Sequence, residues 1–193
     1  MPRRVAPSFV AVAIALAVLA GCTPTGQADP TSGPTTDPTD SATPTPEPTD
    51  PTSGTAIDLG CDQLVSADTL YIYNPNFGAT DDFTPQSGSP AASALSHNGV
   101  ACRWQNETNG QNIDVSVAQL DDDALTALKN AAFADSQMVP TYGDEAYFTV
   151  GDDQVGVAQV FQGSYWIVAA SPVFFEPGDA TEIVQSVIAA LGA

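Results

Sequence analysis

Carboxylates are the most abundant ionisable groups in this chain, and they cluster at Asp81-Asp82, Asp121 to Asp123, Asp144-Glu145 and Asp152-Asp153. Two carboxylates can hydrolyse a glycosidic bond when a cleft holds them about 5 to 9 Å apart and raises the pKa of one. Adjacent acids beside Gly143 and Gly151 suit solvated turns instead. The Asp121 to Asp123 run precedes an apolar pattern of helical spacing, where negative charge favours the positive end of the helix dipole. It lacks the spaced ligands and terminal Glu of a calcium loop. His97 is the single histidine and sits beside Asn98-Gly99, a loop-like context, so any Ser–His–Asp or Cys–His system would rest on it alone. There is no G-x-S-x-G elbow, S-x-x-K, phosphate-binding glycine loop or H-E-x-x-H. The expectation is a non-enzymatic chain without cofactor or metal. An envelope hydrolase using acidic residues, or a structural or assembly partner of another envelope protein, is the alternative.

Three cysteines carry the remaining chemistry. Cys22 closes the run Leu19-Ala20-Gly21-Cys22, which resembles the bacterial lipobox, where the cysteine sulfur is diacylated before cleavage. Arg3 and Arg4 precede an apolar stretch from Val5 to Ala20, broken only by Pro7 and Ser8. A basic start and a short apolar run make a secretory signal. A membrane-spanning helix needs about 20 apolar residues, which makes this stretch marginal as a span. Residues 1–21 are therefore expected to be a cleaved signal peptide. Acylated Cys22 would then anchor the chain in the bilayer, facing the extracytoplasmic side. In that oxidising compartment Cys61 and Cys102 form an even pair, and a disulfide is predicted. Closing a loop of about 42 residues stabilises by roughly 4 kcal/mol on chain-entropy grounds, and usually by less in practice. A reactive thiol or metal ligand would require a neighbouring His or Cys that is absent.

Residues 22–56 follow as a tether. Thr, Pro, Ser, Gly and Asp dominate it, with Pro24, Pro30, Pro34, Pro38, Pro44, Pro46, Pro48 and Pro51 as punctuation. Such a composition cannot bury enough apolar surface to offset chain entropy, so disorder is predicted. Extended polyproline geometry would give it a contour on the order of 100 Å. Residues 57–193 are left to form one domain with one core.

Charge narrows the partners. The chain has 23 acidic against 4 basic residues, and two of the four, Arg3 and Arg4, lie in the leader. Such a surface repels nucleic-acid phosphates and anionic headgroups, so no nucleic-acid role is expected. A cell-wall ligand or another envelope protein remains as partner. Exposed aromatics on loops can stack on sugars or bind apolar groups. Tyr71, Tyr73 and Phe77, in or near a Pro/Gly/Asn-rich loop, and Phe174 and Phe175, between Pro172 and Pro177, are the candidate ligand-binding residues. Trp104 and Trp166 are assigned to the core or the sheet surface.

The elements that must position these groups follow from periodicity. Cys61 to Thr69 reads as a short helix, Leu70 to Tyr73 as a short strand, and Asn74 to Pro90 as a loop; Ala91 to His97 has no decisive period. Val100, Cys102 and Trp104 alternate with polar or small residues, placing sulfur and indole on one face of a strand. Asn109-Gly110 signals a hairpin into Ile113, Val115 and Val117. Ala124, Leu125, Leu128, Ala131 and Ala132 follow at helical spacing. Ala146, Phe148 and Val150 form a strand. Val155 to Phe161 and Tyr165 to Ala170 make a second hairpin, apolar on two faces and therefore central or at an interface. Asp179 is expected to cap a final helix, with Glu182 three residues on and a stripe of Ile183, Val184, Val187, Ile188 and Leu191. The fold class is α+β: an antiparallel sheet of about five to six strands with helices packed on it.

The ensemble resembles the small actinobacterial cell-envelope lipoproteins of a domain family of unknown function. The shared features are the lipobox and tether, Cys61-Asp62-Gln63-Leu64, Cys102-Arg103-Trp104, the Gly143 to Ala146 segment and the C-terminal amphipathic helix. A similar layout occurs in the extracellular sensor domain of a mycobacterial receptor-type serine/threonine kinase. The resemblance implies an α+β fold, a Cys61–Cys102 bridge and a ligand-binding or sensory role. The kinase-sensor relatives carry two bridges, and this chain has cysteines for one.

Overall fold

The computed structural model describes residues 54–193. The leader, Cys22 and nearly all of the 22–56 tether lie outside the described residues. Thr55 forms a bridge to Gln119, and the Ile57 amide donates to the Asn98 carbonyl. Ile57 and Leu59 then pack against the core. No helix among the described residues is long and apolar enough to cross a membrane.

In chain order the elements are α1 (Cys61–Leu64), α2 (Ala67–Tyr73), β1 (Phe77–Ala79), α3 (Pro90–Ser96), β2 (Val100–Asn106), β3 (Asn112–Gln119), α4 (Asp122–Asp135), β4 (Gln137–Met138), β5 (Glu145–Val150), β6 (Gly156–Gln162), β7 (Tyr165–Ser171), a 3-10 turn (Pro177–Ala180) and α5 (Thr181–Leu191). The described strands form one antiparallel sheet of seven, in the order β1-β2-β3-β7-β6-β5-β4. This is the α+β class expected. The count exceeds five to six because β1 and β4, of three and two residues, are too short to display a period.

Helices cover both faces of the sheet. On the first face, Cys102 and Trp104 of β2, Ile113, Val115 and Val117 of β3, and Ile167 and Ala169 of β7 join Leu64, Leu70, Ile183, Val184 and Val187 from α1, α2 and α5. On the second, Ala118, Phe161, Trp166 and Val168 pack with Ala94 of α3 and with Leu125 and Ala132 of α4. β7 stands fourth of seven and contributes to both clusters, which explains why its sequence is apolar on two faces. The Cys61–Cys102 disulfide, with Cα atoms 5.6 Å apart, fastens α1 to β2.

Four local readings are corrected. The single short helix expected over Cys61 to Thr69 breaks at Val65, whose extended backbone ends α1, and α2 starts after the Ser66 cap. Leu70 to Tyr73 is helix: Ser66 Oγ accepts from the Thr69 amide at 3.1 Å and caps α2, and Leu70 is buried while Tyr71 and Ile72 are exposed. A strand would alternate in burial, whereas here inward positions recur once per turn. Phe77–Ala79, within the expected loop, pairs with β2. Finally, Asp179 does not cap the last helix. Its Oδ2 accepts from the Phe175 and Glu176 amides at 2.8 and 3.1 Å, closing the 3-10 turn, while Ala180 occupies the N-cap of α5.

At Asp121 and at Asn109-Gly110 the local chemistry is as expected, while the undecided segment Ala91 to His97 belongs to a helix that begins at Pro90. Asp121 Oδ1 caps α4 through the Ala124 amide at 2.8 Å. The first hairpin turns through Glu107 to Gln111, with Gly110 at φ 74°. Pro90 follows the Ser89 cap at the start of α3, the segment without a decisive period.

Candidate functional site

A cavity of about 270 Å³ opens between α1, α2 and the β1 edge of the sheet. α1 supplies Asp62, Val65 follows it, and α2 contributes Ala67, Leu70 and Tyr71. Pro75 and then Phe77, Gly78 and Ala79 of β1 form another wall, and Trp104 of β2 completes the lining. Apart from Asp62, the Tyr71 hydroxyl and the Trp104 indole N–H, the lining side chains are apolar. The cavity exists because the chain breaks at Val65, where extended backbone ends α1, and restarts at the Ser66 cap. This offset carries α2 across β1. The disulfide sits beside it: Cys61 precedes Asp62, and Cys102 shares a sheet face with Trp104.

The five candidate aromatics divide among three environments. Tyr71 (71 % exposed) and Phe77 (7 %) both line the cleft. Tyr73 is partly buried, its ring 6.0 Å from that of Phe77 and 6.5 Å from that of Phe174, an edge-on contact. Burial, reinforced by the negative charge of Asp179, raises its phenol to about 12. Phe174 is fully buried in the same aromatic cluster. Phe175 is 72 % exposed and belongs to a different groove with Phe148, Val150 and Pro177. The structure thus brings Tyr71 and Phe77 together at a concave surface, backs Phe77 with Tyr73 and Phe174, and sets Phe175 apart.

Sequence reasoning did not find Asp62, Val65, Ala67, Leu70, Pro75 or Ala79 as lining residues. Trp104, assigned to the core or sheet surface, is buried and forms part of the cleft wall. The Cys-x-Trp alternation, which puts the indole on the face carrying the disulfide, was the one signal available for it.

The clustered carboxylates do not meet in this cleft. Asp121 caps a helix, and Asp122 and Asp123 fill its first turn. Asp153 closes a turn through the Val155 amide at 3.1 Å, and Asp144 accepts from the Gly163 amide at 3.3 Å. Glu145 accepts from the Tyr147 hydroxyl at 2.7 Å and pairs with Lys129 at 3.1 Å. The Tyr147 bond, with Lys129 adding to it, holds the Glu145 carboxyl below the usual glutamate range. Among the described residues no group of three or more His, Cys, Asp or Glu is placed to hold a metal ion.

A smaller cavity of about 130 Å³ lies on the second sheet face against Phe83, Arg103 and Asp114. Its cation is already engaged: Arg103 Nε and Nη2 each donate to Asp114 at 2.6 Å, and Phe83 covers the guanidinium at 4.2 Å. That geometry suits a cross-strand clasp holding the loop after β1 against the sheet.

Comparisons of this chain with known protein families, with curated proteins and with solved structures gave no match.

Proposed function

We propose that this chain is a lipid-anchored, extracytoplasmic binding module, without catalytic activity of its own, whose ligand seat is the cleft between α2 and β1. One observation carries this reading: about 270 Å³ of open space lined by Tyr71, Phe77, Leu70, Val65 and Trp104. An apolar recess of this kind leaves contact energy unused until something fills it. The volume lies just under the ~300–1,000 Å³ of drug-sized pockets, so it suits one or two apolar side chains or a short acyl segment. Support for anchoring comes from the leader and the Leu19 to Cys22 run.

Thermal unfolding of the full chain tests the seat. The probes are muropeptide fragments, medium-chain fatty acids and short neutral apolar peptides. At a concentration near a hundred times Kd, a true ligand raises Tm by about 5 °C or more. The gain should vanish in Ala79→Phe, which fills the cleft from an exposed strand position. Stabilisation by no probe, or turnover of any of them, overturns the reading. Intact mass of the membrane-extracted protein tests the anchor: residues 1–21 should be missing and fatty acid present.

A further inference from the structure

We infer that the natural occupant of the cleft is a basic segment of a partner protein, which inserts an apolar side chain between α2 and β1 and spreads its cationic flanks over the surrounding surface. The inference rests on the cleft being a binding seat and adds the chemistry of what binds.

Charge complementarity selects the partner. From Gly54 to Ser96, the stretch that builds α1, α2, β1 and α3, there is no Lys, Arg or His. The same stretch carries Asp58, Asp62, Asp68, Asp81 and Asp82. Asp62 lines the cleft itself. Asp68 stands three residues before Tyr71 on α2, so the two share a helix face. The Arg and Lys side chains of the described residues offer no relief, because Arg103 is bound to Asp114 and Lys129 to Glu145. An apolar mouth inside a one-signed field rewards a ligand that is apolar at its tip and positive around it.

A protein segment suits the seat better than a free small molecule. Ile72, 74 % exposed and outside the cleft lining, extends apolar surface along α2 beyond the cavity. An occupant of 270 Å³ would leave it bare, whereas a segment several residues long covers it. An anionic membrane surface is opposed by the same carboxylates.

Three synthetic peptides test this on the full chain, followed through the backbone amide resonances of Tyr71 and Gly78. Each has a central Leu-Phe pair, flanked on both sides by two lysines, two serines or two glutamates. The lysine-flanked peptide should bind about tenfold more tightly than the serine-flanked one, and the glutamate-flanked peptide more weakly than either. The lysine advantage should shrink as salt rises from 0.05 to 0.5 M, because over that range the Debye length falls from above about 10 Å to below about 8 Å. It should also shrink in the Asp68→Asn variant, which removes a charge beside the cleft without touching its lining, with serine-flanked binding unchanged. Equal affinity for all three peptides overturns the basic partner and leaves the seat standing. Shifts at Tyr71 and Gly78 with anionic vesicles but with no peptide overturn the basic partner in favour of a membrane surface. No shift with any peptide, together with no thermal stabilisation by any probe, overturns both readings.

Discussion

Three tyrosines report how tightly individual side chains are held. Tyr73 and Tyr142 are pushed up to about 12 by burial first and by the charge of Asp179 second. The Tyr142 hydroxyl donates to the Pro177 carbonyl, tying the segment before β5 to the turn that leads into α5. Tyr147 reaches about 12 mainly through its hydrogen bond to Glu145, with burial adding to it. In each case the folded state favours the neutral phenol. A raised folded pKa means that the stabilisation is fully present below about 10, the unfolded value, and is lost as pH rises through about 12. An alkaline titration followed by phenolate absorbance should therefore show three tyrosines ionising late, near pH 12, together with loss of near-ultraviolet circular dichroism. Ionisation of all five tyrosines by about pH 10.5 without unfolding would contradict the packing described for these rings.

At the scale of elements, legibility followed length. β2, β3, β6 and β7 have seven or eight residues each, and their alternation, or its absence in the central strand, could be read directly. α4 and α5 repeat their apolar stripes over several turns, and were equally plain. α2 was not: Leu70 to Tyr73 are strand-favouring by composition, and only the Ser66 cap and the burial of Leu70 reveal the helix. The candidate site suffered from the same limit. Tyr71 and Phe77 stood out as aromatics near a Pro/Gly/Asn loop, but a cleft is made by segments meeting in space. Nothing local joins Val65 to Trp104. Phe174 and Phe175 show the problem in miniature, since a segment without period gives no way to tell the fully buried neighbour from the exposed one.

The disulfide is the joint on which this element-scale arrangement depends. α1 is four residues long and α2 seven, too short to persist by helix propensity alone. Their position over the sheet rests on Leu64, Val65 and Leu70, on α5, and on the Cys61–Cys102 tie. The Cys61→Ser/Cys102→Ser variant should lose about 2–4 kcal/mol in urea unfolding. The loss should be uneven. Amide exchange in the native state should accelerate most across residues 61–73 while β6 and β7 stay protected, and binding to the cleft should weaken in parallel. Equal acceleration in the sheet would mean that the tie braces the whole domain and has no special bearing on the cleft.

For the whole molecule, charge sets the terms. Residues 54–193 carry 18 acidic side chains, against Arg103 and Lys129 as the basic ones. Each of these two is matched to a carboxylate, with side chains about a third exposed, so the pairs contribute little beyond local order. The remaining acids repel one another in the compact state more than in an expanded chain. Added salt therefore acts with opposite signs on two properties of one molecule. Screening relieves the self-repulsion, so Tm should rise by a few degrees between about 10 and 200 mM NaCl at pH 7, where the Debye length falls from about 30 to below 10 Å. The same screening removes the attraction for a cationic segment, so peptide affinity should fall over that range. Measured side by side, the two curves separate explanations that either one alone would leave mixed. A salt-weakened protein would lose both stability and binding together, whereas a charge-steered binding module grows more stable as its affinity declines. If Tm falls with salt, the Arg103 and Lys129 pairs outweigh the surplus of acids, and the field invoked for partner choice is weaker than the sequence count implies.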